Sequence, residues 1–183
     1  MRVAILQLPA PEVFVPDGAQ DEAWAATLER VDDAARDEPD LVVLPEAAYP
    51  AWFLPDAAAT PPERTDAEVL ATLSERARRH HITLAAGVVL GRPDAPENAA
   101  VLFAPTGEEI ARAGEALPAA WFRRGRGPVA VDLGGVAGAL AAGADLLDPR
   151  WVEAMAEAGT RVVISTGAPR GWPRDGAVAG DVA

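Results

Sequence analysis

The chain contains neither cysteine nor lysine among its 183 residues. Without a thiol there is no cysteine nucleophile and no disulfide, and without lysine there is no amine nucleophile or Schiff base. All positive charge is therefore arginine, which together with the abundance of alanine, glycine and proline reflects a GC-rich coding bias. Basic charge is also scarce, with 16 arginines against 28 acidic residues and a formal net charge of −12. Nucleic acid needs a basic footprint, so the balance excludes it as a partner. Long apolar runs are missing as well. Residues 82–90 and 134–147 are too short and too rich in alanine and glycine to cross a bilayer, so no membrane partner is expected. Met1-Arg2 leads directly into the strand-like Val3-Ala4-Ile5-Leu6, with no small-residue cleavage site behind it. The expectation is a soluble cytoplasmic chain.

What is present is the balance of a globular protein, half apolar and about a quarter charged. The length allows one domain with a sizeable core. Strand and helix patterns alternate. Residues 2–8 read as a short apolar strand, and residues 21–36 as a helix with Trp24, Leu28, Val31 and Ala35 on one face. A second buried strand covers residues 40–45. Thr65-Asp66-Ala67-Glu68 is a capping box that opens a helix with Val69, Leu70, Leu73 and Ala77 inward. A third strand covers residues 82–90. Residues 99–104 and 109–113, joined by the Pro105-Thr106-Gly107 turn, form a hairpin. Two more strands flank Gly134-Gly135. Asp148-Pro149 starts a helix that Gly159 closes, and a last strand covers residues 161–166. The domain is expected over residues 1–166, followed by a Gly/Pro-rich tail at 167–183. Helices and strands in this order fit a layered α/β architecture, either doubly wound or a helix-faced sandwich, and the hairpin favours the sandwich.

Candidate polar groups are few. His80-His81 sits at a helix end, where the dipole favours a surface histidine, and no third ligand stands at metal-like spacing, so no metal or other cofactor is expected. Arg123-Arg124-Gly125-Arg126 is a small basic loop, read as a solvated face or, less simply, as an anion site. Gly134-Gly135-Val136-Ala137-Gly138 lacks the features of a phosphate loop. Trp151 belongs either to the core or to a subunit interface.

Three segments together resemble the nitrilase, or carbon–nitrogen hydrolase, superfamily. Residues 2–8 followed by Asp40-Leu41-Val42-Val43-Leu44-Pro45-Glu46 match its opening strand and Leu-Pro-Glu element. Glu97-Asn98 and the following strand, with Pro105-Thr106-Gly107, look like its Asn-led strand and turn. Asp145, Pro149 and Ala158-Gly159 fall at the spacing of its nucleophile elbow and following helix. The resemblance implies a four-layer α-β-β-α sandwich with mixed sheets. It also implies a Glu base, a Lys that stabilises the tetrahedral intermediate, and a Cys that attacks the substrate carbon. Glu46 stands at the base position, Glu115 (or Gly114, with the gap placed differently) at the Lys position, and Gly143 at the Cys position. A second Glu common in the family would fall at Ala119 or Ala120. Tyr49, Trp52 and Phe53, just past Glu46, either line the pocket mouth as substrate-binding groups or tuck onto the core.

The resemblance with two essential groups missing implies a catalytically inactive binding or partner subunit. The alternative is a hydrolase using Glu46 in non-covalent chemistry on C–N bonds. Such a chain is expected to bind a small-molecule ligand and to form a homodimer or a complex with a full-length homologue. Being shorter than the family's usual domain, it either has a trimmed sandwich or an edge covered by a partner.

Overall fold

In the computed structural model the described residues are 1–8, 19–50, 62–92, 94–118 and 122–167. Two sheets carry the fold. The larger has the order β1 (Val3–Ile5), β2 (Leu41–Val43), β3 (Thr83–Arg92), β4 (Ala95–Phe103), β5 (Glu109–Gly114). Its first three strands are parallel, and β3, β4 and β5 are antiparallel neighbours. The smaller sheet pairs β6 (Val129–Asp132) antiparallel with β7 (Ala137–Ala141), and β7 parallel with β8 (Val162–Ser165).

The alternation of strand side chains assigns the layers. On β3 and β4, Leu84, Ala86, Val88, Ala99, Val101 and Phe103 face a cluster that includes Trp24, Leu28 and Val31 of α1 (Ala19–Ala34) and Val69, Leu73 and Ala77 of α2 (Asp66–His80). The intervening Ala85, Ala100 and Leu102, with Ala113 of β5, face Leu140, Ala142 and Ile164 of the smaller sheet. The third helix, α3 (Pro149–Glu157), connects the parallel neighbours β7 and β8. Such a crossover lies on a sheet face. The inner face is filled, so α3 lies outside. The chain is thus an α-β-β-α sandwich with mixed sheets.

Local chemistry explains most boundaries. The capping box forms as expected, with Glu68 N–H on Thr65 Oγ1 and Thr65 N–H on Glu68 Oε2. Asp148 caps α3 by accepting from Arg150 N–H, and Gly159 takes a left-handed φ of 74° just beyond its last turn. The first strand is shorter than its apolar run, because β1 is an edge that pairs only with β2; Leu6 N–H still reaches Val43 O at 2.9 Å. The first helix gives way to one 3-10 turn at Ala35–Asp37, after which Glu38 is left-handed. β4 begins at Ala95, four residues earlier than the apolar pattern indicates, because it pairs with β3 all the way to Arg92. Of the 167–183 tail only Gly167 lies within the described residues.

Candidate functional site

The polar side chains of the sandwich meet between the two sheets. After β2, Leu44 N–H bonds Ala85 O at 2.8 Å and the chain leaves the sheet through Pro45 and Glu46. Gly87 on β3 permits this path: a Cβ there would come within 2.5 Å of Pro45 O and 2.6 Å of Glu46 Cα. Ala47 then turns the chain with a φ of 48°, and Ala48 N–H returns to Gly87 O.

Asn98 lies on β4 with the same parity as Ala100 and Leu102, which face the smaller sheet, and it is 1% exposed. Its Nδ2 donates to Glu46 Oε1 at 2.5 Å and to Glu115 Oε2 at 2.8 Å. Glu115, one residue past β5, shares the parity of the inward-facing Ala113 and is 2% exposed. Its Oε1 accepts from Ala144 N–H at 2.8 Å. Gly143 has a φ of 54°, which L side chains rarely adopt, and a Cβ built on it would fall inside the Glu115 carboxyl group. Glu46, Glu115 and Gly143 are thereby brought together, and contact through the carboxylate puts Glu115 rather than Gly114 at this centre.

Asp145 fixes the frame. It is fully buried, and its Oδ1 accepts from Ala116 N–H at 2.9 Å and Leu117 N–H at 3.2 Å. Burial raises its pKa above the ordinary aspartate value; the two N–H donors oppose the rise, and the charges of Glu115 and Asp148 add to it. At the end of β8, Thr166 N–H bonds Ala141 O at 3.2 Å, and Gly167 packs on the backbone of Gly143.

Other sequence candidates fall elsewhere. Tyr49 is a core residue: its ring meets Trp24 edge-on with centroids 5.3 Å apart, and its hydroxyl accepts from Arg64 N–H at 2.7 Å. The turn at Ala47 and the bridge of Tyr49 to Val88 carry it to the helix side, away from Glu46. Burial raises its pKa. Trp52, Phe53, Ala119 and Ala120 lie outside the described residues. His80 bonds Asp32 at 2.7 Å, and Arg76 pairs with the same carboxylate at 2.9 Å, tying α2 to α1. Among the described residues no cluster of His, Cys, Asp and Glu suits a metal ion. The basic loop is docked as well as solvated: Arg123 pairs with Glu97, and Gly125 N–H bonds Glu115 O. Trp151 is half-buried, its ring against Gly127.

Sequence reasoning passed over Asn98 and Asp145 as site components. For Asn98 the available signal is parity, since it shares the strand face of the inward Ala100 and Leu102; Asp145 stands in a 3-10 turn, where no such alternation marks it.

The sequence model of the family described as carbon-nitrogen hydrolase matches residues 2–171. No curated protein matches the chain. Among solved structures, a double mutant of the amidase from Nesterenkonia sp. AN1 in complex with acrylamide superposes with a TM-score of 0.81 at 22% identity, over 99% of this chain and 69% of that one. Another mutant of that amidase, showing Michael addition of acrylamide at the active-site cysteine, has a TM-score of 0.76 at 22% identity, over 91% of this chain and 66% of that one. A carbon-nitrogen hydrolase from Helicobacter pylori G27 has a TM-score of 0.76 at 19% identity, over 91% of this chain and 59% of that one. The chain thus spans about two thirds or less of the length of these relatives, and at this identity the likeness is one of fold. Among the described residues, no helix is long and apolar enough to cross a membrane.

Proposed function

The chain belongs to the carbon–nitrogen hydrolase family, and from that premise we propose that it is a catalytically degenerate member that binds a small ligand between its sheets instead of hydrolysing it. The observation that carries this reading is the Glu115 carboxylate, which occupies the space a side chain on Gly143 would need. Attack on a carbonyl carbon places negative charge on the substrate oxygen, which an active site must stabilise. A carboxylate roughly 4 Å from that oxygen opposes it by about 4 kcal/mol at an effective dielectric of about 20, about a thousandfold in rate. Loss of the nucleophile of an interdependent set removes a further factor of about 10⁴ to 10⁶. Both effects point the same way. The expected result is no turnover over a broad amide and nitrile panel. Turnover that disappears in Glu46→Ala would establish the opposing reading, in which Glu46 serves as a base without covalent chemistry.

We further infer that the chain pairs with a second copy or a longer relative through the outer face of the smaller sheet. Leu147, Val152 and Val163 there are 65%, 48% and 41% exposed. Trp151, against Gly127, is not the anchor of such a surface. Sedimentation at micromolar concentration tests this: a single 19.0 kDa species, unchanged by Val152→Glu, would rule pairing out.

A further inference from the structure

We propose that the cleft between α3 and the loop after β5 binds a small aromatic carboxylate, held by Arg124 beside the indole of Trp151. This site is separate from the polar centre between the sheets, for none of Glu46, Asn98, Glu115 and Gly143 lines it.

The loop is seated before any ligand arrives. Arg123 N–H bonds Pro96 O at 2.7 Å, Gly125 N–H bonds Glu115 O at 2.7 Å, and Gly127 N–H bonds Gly114 O at 2.8 Å. Two of these close approaches need glycine. A Cβ on Gly125 would come within 2.2 Å of Gly114 C, and one on Gly127 within 2.5 Å of Trp151 Cζ2. The second approach presses the loop onto the indole and so joins it to α3. Arg124 stands between the seated Arg123 and Gly125, exposed. Its guanidinium is free. Among the described residues it has no salt bridge or hydrogen bond, whereas Arg123 pairs with Glu97 and Arg150 with Asp148.

The walls of the cleft are of two kinds. Leu117, Trp151 and Ala154 are apolar, while Arg124, Arg150 and Asp148 are charged. Leu117 is 44% exposed and Trp151 is half-buried, so apolar surface is open to a ligand. Asp148 alone would repel an anion, but Arg150 holds its carboxylate through Nε at 3.0 Å and Nη2 at 2.7 Å. Two guanidiniums less one carboxylate leave a single positive charge, in a chain whose formal net charge is −12.

Those walls select the ligand. A free guanidinium fork matches a planar carboxylate through two parallel hydrogen bonds. Trp151 and Leu117 offer cover to a flat apolar body beside it, and an aromatic ring suits an indole neighbour. The cleft holds about 240 Å³, below the roughly 300–1,000 Å³ of sites for drug-sized ligands, so one ring is its natural load. A doubly charged phosphate would call for a second free cation, and Arg150 is committed to Asp148. Trp151 and Ala154 lie three apart on one helix face and Val152 lies off it, which keeps the cleft distinct from the pairing surface.

The test is an NMR titration of the full ¹⁵N-labelled chain with sodium benzoate, against benzamide, sodium acetate and sodium phosphate at equal ionic strength. Benzoate should shift the Gly127 amide and the Trp151 indole N–H saturably, the latter identified by its loss in Trp151→Phe. Benzamide keeps the ring without the charge, and acetate keeps the charge without the ring. Each of the three controls should act at least about tenfold more weakly, and Arg124→Gln should weaken benzoate binding by about tenfold. An equal response to any control, no response to benzoate, or a response that persists unchanged in Arg124→Gln overturns the proposal. Should Arg124→Gln not fold, the four ligands compared on the unsubstituted chain decide alone.

Discussion

The two outer layers of the sandwich are built to different standards. On the larger sheet, α1 and α2 present Trp24, Val31, Val69, Leu73 and Ala77 at 1% exposure or less to a continuous apolar cluster. On the smaller sheet, α3 buries none of its residues. Yet α3 is an apt helix by local criteria, with an aspartate cap and a proline in its first turn. Its formation is therefore owed to end chemistry and to its place between β7 and β8, whereas α1 and α2 are held by burial. Folding stability should reside on one side of the molecule.

The comparison can be broken most directly by truncation. Trp24→Ala should cost about 3–5 kcal/mol in denaturant unfolding. A loss below about 1 kcal/mol would mean that the α1–α2 layer does not carry the core.

Next in size is the contact in the middle of the sandwich. Gly143→Ala should cost about 1–3 kcal/mol, since it combines a left-handed φ with collision against Glu115. In a Glu115→Ala background the collision disappears and only the backbone strain remains. A double-mutant cycle with no coupling would remove Glu115 from that position.

The pH dependence sharpens the contrast within one loop, where two carboxylates three residues apart shift in opposite directions. Asp145 is raised chiefly by burial, so its contribution is fully present below the ordinary aspartate value and is lost as pH rises through its elevated folded value. Asp148 is lowered chiefly by the Arg150 side chain, so its contribution is present above the ordinary value and is lost as pH falls through its depressed one. Urea midpoints across the acid range should show Asp145→Asn gaining on the unsubstituted chain as pH rises, and Asp148→Asn gaining as pH falls. Parallel curves for the two variants would contradict both assignments.

The smallest effect is expected on the exposed helix, where Val152→Ala should change the stability of the isolated chain by less than about 0.5 kcal/mol. A larger loss that grows with protein concentration would mean that a second molecule covers this face.

The features readable in the sequence are those whose physics is local. The capping box of α2 needs only Thr65 and Glu68, and the inner face of α1 needs only helical spacing. The expected strands recur because apolar runs have few other uses in a chain this size. What could not be read depends on partners distant in sequence. The pairing of Arg92 with Ala95 extends a hairpin that the apolar pattern alone does not define. Tyr49 goes to the helix side because a left-handed kink at Ala47 displaces the chain before it rejoins β3 in the same direction at Val88, and nothing about alanine announces a φ of 48°. Asn98 matters because Glu46 and Glu115 reach it from 52 and 17 residues away.

Asp145 holds the two N–H groups that follow Glu115, while Ala144, its own chain neighbour, donates to the Glu115 carboxylate. The carboxylate is thus gripped from its backbone and from its tip before anything arrives. Ordering a free side chain of this kind on association costs about 0.5–1.5 kcal/mol. Here that freedom is already spent in folding, so a guest would meet a carboxyl group held in place, and its capture would be limited by encounter and desolvation rather than by rearrangement of the host.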